Sequence, residues 1–196
     1  MNLLRACNDY RGMTGRVDHT PDTAQLFDEL LVTHVQSGDR RAVDRLAARW
    51  NPRLIRTATR LLRDEEQALT AVQECWISIL RGIHKLRDPS RFAPWAFGIL
   101  RLRCVDQIRR AQKQRDREAG SGAEIEVMAN TEGAFDMRSA FDALPHDQRL
   151  AAQLFFVEGL SLAEIAEVQA VPVGTAKTRL FHARRKLKAA LSGETP

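Results

Sequence analysis

The residues of this chain best suited to chemistry are cations rather than nucleophiles. Of the residues in "VPVGTAKTRLFHARRKLKAAL" (171–191), six are Lys or Arg and none is acidic. Lys and Arg at that density neutralise phosphate, and Arg can also bond a guanine edge bidentately. A second basic block runs from Arg81 to Arg117, where eleven Lys or Arg face only Asp88, Asp106 and Asp116. Between the blocks, Glu118 to Phe135 hold four Glu and no base. Two cationic stretches separated by an acidic segment containing Gly and Ser point to two binding surfaces for a polyanion. No hydrolase triad, P-loop or metal-ligand spacing occurs, and His182 has no second ligand at a suitable distance in sequence. The expectation is a binding protein with no catalytic residue, metal or cofactor.

The elements that must carry these cations are helical. The chain has 196 residues, a formal charge of +5 and 44% apolar residues, enough for one or two small domains. No apolar run approaches the roughly 18 residues that span a bilayer. The start, "MNLLRACNDYRGMTG", lacks a signal-peptide core, so a cytoplasmic protein without membrane insertion is expected. Cys7, Cys75 and Cys104 are too scattered for a metal or redox pair and read as free thiols.

Residues 1–21 show no periodicity and read as a loose arm. From Thr23 the apolar spacing is helical. Leu26, Phe27, Leu30, Leu31 and Val35 form a stripe that "SGD" (37–39) ends. Ala42, Val43, Leu46, Ala47 and Trp50 continue it, and Pro52 should interrupt or kink the helix. Asp64 is placed to cap a helix carrying Ala68, Val72, Cys75, Trp76, Ile79, Leu80 and Ile83. After the Arg- and Pro-rich loop 84–94, a further helix is expected with Trp95, Ile99, Leu102, Val105 and Ile108 inward and Arg101, Arg103, Arg109 and Arg110 outward. The fold class is all-α: an N-terminal helical bundle over 22–114, a flexible acidic linker over 115–134, and a second helical unit over 135–196.

In the second unit Asp147 is expected to cap one helix and Gly159 to end it, while Ser161 and Glu164 form a capping box for the next. A short turn with Pro172 leads to the basic helix, so the order is helix-turn-helix, whose second helix enters a DNA major groove. On a 100° wheel Ala176, Leu180, Ala183 and Leu187 face inward. Thr178, Phe181, His182 and Arg185 face outward, flanked by Arg179 and Lys186. Thr175 and the first-turn N–H groups point where a phosphate would sit.

With these residues laid out, "ALPHDQRLAAQLFFVEGLSLAEIAEVQAVPVGTAKTRLFHARRKLKAAL" (143–191) resembles the fourth conserved region of bacterial sigma factors of the extracytoplasmic-function (ECF) class. "LIRTATRLLRDEEQALTAVQECWISILRGIHKL" (54–86) and "FAPWAFGILRLRCVDQIRR" (92–110) resemble the second conserved region. The likeness covers about 25–191. The chain departs from the usual pattern at Gln67, Ala68, Leu69 and Thr70, where acids are common, at Leu102, near a missing Asn, and at Ala170, where Gly is usual.

The resemblance implies an RNA polymerase sigma factor. Gln73 and Glu74 would lie on the surface that docks core polymerase, chiefly the largest-subunit clamp, with the flap as a further contact. Arg87, Ser90, Arg91, Phe97, Arg101, Arg103, Arg109 and Arg110 would engage the −10 element as single-stranded DNA, with Phe97 as a stacking platform. Thr175, Lys177, Thr178, Arg179, His182 and Arg185 would read the −35 element as duplex. It also implies an anti-sigma partner. Two other readings stay open here: a sigma-like decoy that titrates an anti-sigma factor, and a stand-alone helix-turn-helix regulator.

Overall fold

The computed structural model describes residues 23–119 and 137–192. The proposed arm 1–21, with Cys7, and linker residues from 120 onward lie outside the described residues.

The first unit comprises α1 (Thr23–Gln36), α2 (Arg40–Leu62), α3 (Glu65–Gly82) and α4 (Phe92–Ala119), with 3-10 turns at Ile83–Lys85 and Pro89–Arg91 before α4. Local chemistry sets most boundaries. Gly38, at φ 91°, turns the chain after α1. The Asp39 carboxylate accepts from the N–H groups of Arg41 and Ala42 to open α2. Asp64 opens α3 by accepting from the Gln67 N–H, and that bond holds its carboxyl below the usual range. Pro52 does not break α2, which runs continuously for 23 residues. Helix α4 reaches Ala119, past the expected limit at 114.

Two helices present different faces from those the apolar spacing predicts. On α1 the buried residues are Asp28, Leu31, Val32 and Val35, whereas Leu26, Phe27 and Leu30 are exposed. The cause is polar: the Trp50 indole N–H donates to Asp28 at 3.0 Å, and a buried Trp needs such a partner. On α4 the inner face is Ala96, Phe97, Leu100, Cys104 and Gln107, while Leu102 and Ile108 are exposed. Phe92 and Phe97 pack on Trp50 with ring centroids at 4.9 and 5.8 Å. The small side chains of Ala96 and Cys104 meet Ala68, Ala71 and Cys75 in the same core. Burial pushes both thiols, Cys75 and Cys104, up to about 12. Gly82 lets α3 approach Trp95, since a Cβ there would lie 3.1 Å from the ring.

The second unit comprises α5 (Met137–Asp142), α6 (His146–Ala152), a π-helical turn (Gln153–Val157), α7 (Leu162–Gln169) and α8 (Val173–Ser192). Pro145, not Asp147, holds the N-cap position of α6, without a side-chain cap bond, because the helix begins two residues earlier than expected. Gly159, at φ 75°, ends the π turn. Ser161 and Glu164 form the expected capping box on α7. Ala170 takes the left-handed conformation (φ 53°, ψ 49°) that closes α7. The turn therefore keeps its glycine-like geometry without a glycine.

The two units share one core. Leu150, Leu154, Leu160, Ile165 and Ala166 pack in the same buried cluster as Leu46, Trp50 and Phe97. Phe141, Leu144, Phe156, Leu180 and Leu187 form a smaller core within the second unit. At the junction the Glu158 carboxylate, with 1% of its side chain exposed, accepts from Arg53 Nε and Arg56 Nη2, each at 2.9 Å. The Arg149 guanidinium donates to the Arg60 carbonyl at 3.2 Å. Among the described residues no helix is long and apolar enough to cross a membrane.

A left-handed alanine carries a steric penalty that glycine avoids. Ala170→Gly is expected to raise the urea midpoint, by about 0.5–1 kcal/mol of stability, with α8 unchanged in helicity. A lower midpoint would show that the turn is relaxed with alanine.

Candidate nucleic-acid interface

Helix α8 starts where the N–H groups of Thr175 and Ala176 bond the Pro172 carbonyl at 2.9 and 3.2 Å. Its inner face is the expected one: Ala176, Leu180, Ala183 and Leu187 are all buried. This pins the opposite face. Lys177, Thr178 and Arg185 are exposed, and Thr175 and His182 are half-buried. Thr178 Oγ1 donates to the Gly174 carbonyl at 3.0 Å. Phe181 is 52% exposed and meets the His182 ring edge-on at 5.5 Å. The outward wheel position of Phe181 makes it a further member of this face, although its apolar type kept it off the cationic set.

Arg179 differs from its neighbours. Its Nη1 donates to Gln169 Oε1 at 3.1 Å and its Nη2 pairs with Asp147 at 2.6 Å. It ties α8 to α6 and α7, so its first effect is to orient the helix. Asp147, which does not cap α6, serves as its anchor.

The cations around α4 fall into three groups. Arg87 and Arg109 are exposed. Arg103 donates to Ser78 Oγ at 3.1 Å and pairs with Asp106, and Arg110 pairs with Glu74 at 2.6 Å. Arg91 and Arg101 turn instead to the second unit: Arg91 pairs with Glu164 and Glu167, and Arg101 Nε donates to the Val168 carbonyl at 2.7 Å. Ser90 donates its hydroxyl to Asp88 at 2.7 Å, which holds that carboxyl below its ordinary range. Phe97 is 1% exposed. It is a core residue against Trp50 and offers no face to a base, so the stacking role expected of it is corrected.

Along α3, Gln73 is exposed, whereas Glu74 is half-buried and held by Arg110. Leu69, Ile77 and Leu80 are 43%, 51% and 42% exposed. Leu80, expected inside, is therefore on the surface. Together with Gln73 these residues recur at three- to four-residue spacing and make one exposed, largely apolar stripe. Trp76 sits at its edge, its indole donating to Asn51 at 3.0 Å. Residues 68, 72, 75 and 79 take the inner face, and that spacing leaves 69, 73, 77 and 80 outside.

Comparison with known proteins fits this layout. Residues 46–114 match the model for sigma-70 region 2, and residues 134–187 match that for sigma-70 region 4. The RNA polymerase sigma-H factor of Pseudomonas aeruginosa is 30% identical over 180 residues, which cover 84% of this chain and 93% of that protein. The ECF RNA polymerase sigma factor SigM of Mycobacterium tuberculosis is 33% identical over 166 residues, 81% of each chain. The chain belongs to the ECF sigma factors. Among solved structures, the sigma factor RpoE in complex with the anti-sigma factor NepR from Bartonella quintana shares the fold. Its TM-score is 0.63 at 24% identity, over 78% of this chain and 98% of that one. CnrH in complex with the cytosolic domain of CnrY gives a TM-score of 0.62 at 24% identity, over 86% and 99%.

The two faces of α8 make separable claims. Leu180→Ala is expected to destabilise the second unit by about 2–5 kcal/mol. Lys177→Ala is expected to change stability by no more than about 0.5 kcal/mol. Chemical denaturation of both variants checks this, and equal effects would mean that the faces are misassigned.

Proposed function

We propose that this ECF sigma factor places α8 in the major groove of a −35 element while the cationic surface of the first unit captures −10 bases as single strand. The observation that carries this reading is the two-faced α8. Four small or apolar residues lock one side into the core, which leaves an acid-free face of Lys177, Thr178, Phe181, His182 and Arg185 at the surface. A helix held this way presents fixed groups to a groove, and its cations supply phosphate affinity. Thr175, at the N-terminus, and Arg179, tied to Asp147, set its register.

In the first unit, Arg87 and Arg109 are the exposed phosphate partners. Arg91, Arg101, Arg103 and Arg110 complete the cationic track, with the Ser90 hydroxyl beside it, which suits a single-stranded backbone. The stripe of Leu69, Gln73, Ile77 and Leu80 is the proposed dock for core polymerase. Glu74 supports it from beneath through Arg110. The chain itself performs no chemistry; the polymerase does. An anti-sigma partner is part of the proposal, since the sigma factor RpoE, of like fold, is found with an anti-sigma factor.

Reconstitution with core RNA polymerase on a library of random promoter DNA tests the whole. Transcription that depends on the chain, with enriched elements at two separated positions, is the expected result. Tight duplex binding without polymerase would instead favour a stand-alone regulator. Capture of an anti-sigma factor without transcription would favour a decoy. In the same assay Arg185→Ala is expected to lose about 1–3 kcal/mol of discrimination at one position of the upstream element. An unchanged upstream preference would remove Arg185 from the reading face.

A further inference from the structure

The basic block of the first unit does not end with the residues assigned to the −10 strand. Lys113, Arg115 and Arg117 lie beyond them, and α4 continues through all three. Gln107 is the last buried residue of this helix, and every residue from Gln112 to Arg117 is exposed. The final turns therefore stand clear of the core. Arg110, paired with Glu74 at 2.6 Å, ties their root to α3. Between Ile108 and Arg117 there are five Lys or Arg and one acid, Asp116, whose carboxylate accepts from the Gln112 amide at 2.8 Å. Arg109, Lys113 and Arg117 recur every four residues and fall within about 80° of one another around the helix. None of the three has an ion-pair partner among the described residues.

Such a row is unfavourable by itself. A helical stretch that buries no face is held by local terms, which are marginal at this length, and like charges four residues apart weaken it further. The helix dipole favours a cation in the last turn, which accounts for Arg117 but for neither Arg109 nor Lys113. An anion laid along the row removes the repulsion. We infer that Arg109, Lys113 and Arg117 form a second DNA contact of the first unit, lying on backbone phosphates of the duplex between the two promoter elements. This rests on the two-element reading above. The row is straight and advances about 6 Å per step, which suits a stiff partner with closely spaced charges. From Ile108 to Arg117 there is no aromatic residue on which the bases of an open strand could stack. The chain also leaves α4 at this end toward the unit that reads the −35 element, so the DNA between the elements passes here. Phosphate contacts carry no sequence information, so the row adds affinity without preference.

Holoenzyme rebuilt from the full chain and core RNA polymerase tests this on a promoter recovered by the selection above. Lys113→Gln/Arg117→Gln removes two cations and keeps good helix formers. Each phosphate contact contributes about 0.9 to the slope of log affinity against log salt, so the double variant is expected to flatten that slope by about 2. The change should be equal on two spacers of different sequence. Neutral methylphosphonate linkages in the spacer duplex should weaken binding by the wild type and leave the double variant nearly unchanged. A charge-matched control, Arg41→Gln/Arg115→Gln, removes exposed cations from α2 and from the opposite side of α4, about 200° from Lys113, and should keep the wild-type slope. A wild-type slope in the double variant overturns the assignment, as does an equal loss in the control or an equal effect of methylphosphonates on both proteins. Weaker binding of the double variant to core polymerase without DNA overturns it in favour of a polymerase contact. The two-element reading fails by a different readout: a wild-type holoenzyme that binds a promoter with both elements scrambled as tightly as the intact one.

Discussion

The arrangement of the molecule depends on keeping one carboxylate charged out of water. Leaving a buried carboxylate unpaired costs several kcal/mol, and Glu158 meets that constraint with groups from both units: Arg53, Arg56 and Thr57 from α2, and Gln153 from the π turn. Arg53 in turn lies over the Trp50 ring, 4.0 Å from its centroid. Trp50 joins the aromatic cluster of Phe92 and Phe97. The ion cluster is therefore seated on the core of the first unit. Gly159 follows at once and turns the chain toward the cap of α7. The direction in which the helix-turn-helix leaves the bundle is set within these few residues.

From that anchor, short-range devices carry the geometry outward. The capping box at Ser161 fixes the start of α7, the left-handed Ala170 fixes its end, and Pro172 accepts the first bonds of α8. Arg179 closes the circuit by returning to Asp147 and Gln169. Helix α8 is thus held at its start, along its buried face and through one side chain.

What was legible in the sequence was mainly what is local. Asp64, Gly159 and the Ser161–Glu164 pair announce their roles because a cap or a turn involves residues three or four apart. The inner face of α8 was legible because its apolar and cationic residues separate cleanly on the wheel. On α1 and α4 the rule of placing the largest apolar residues inside failed. There Asp28 and Gln107 took inner positions, Ala96 and Cys104 let helices approach, and Leu26, Phe27, Leu30, Leu102 and Ile108 were left outside. Phe97 was misread for the converse reason, since an aromatic beside a basic loop suggests stacking until the core claims it. The junction could not be read at all, because Arg53 and Glu158 are about a hundred positions apart and nothing local marks them as partners.

Thr178 shows how a bond inside a helix limits the alphabet a helix can read. A hydroxyl has one hydrogen and two lone pairs, and the hydrogen of Thr178 is given to the Gly174 carbonyl. In the proposed −35 reading, only lone pairs and a methyl group remain for a base edge. Those suit the amino groups of adenine and cytosine or the methyl of thymine, and they have nothing to give to the acceptor pair of guanine. On that reading, the backbone casts a vote on the vocabulary of the partner before any DNA arrives.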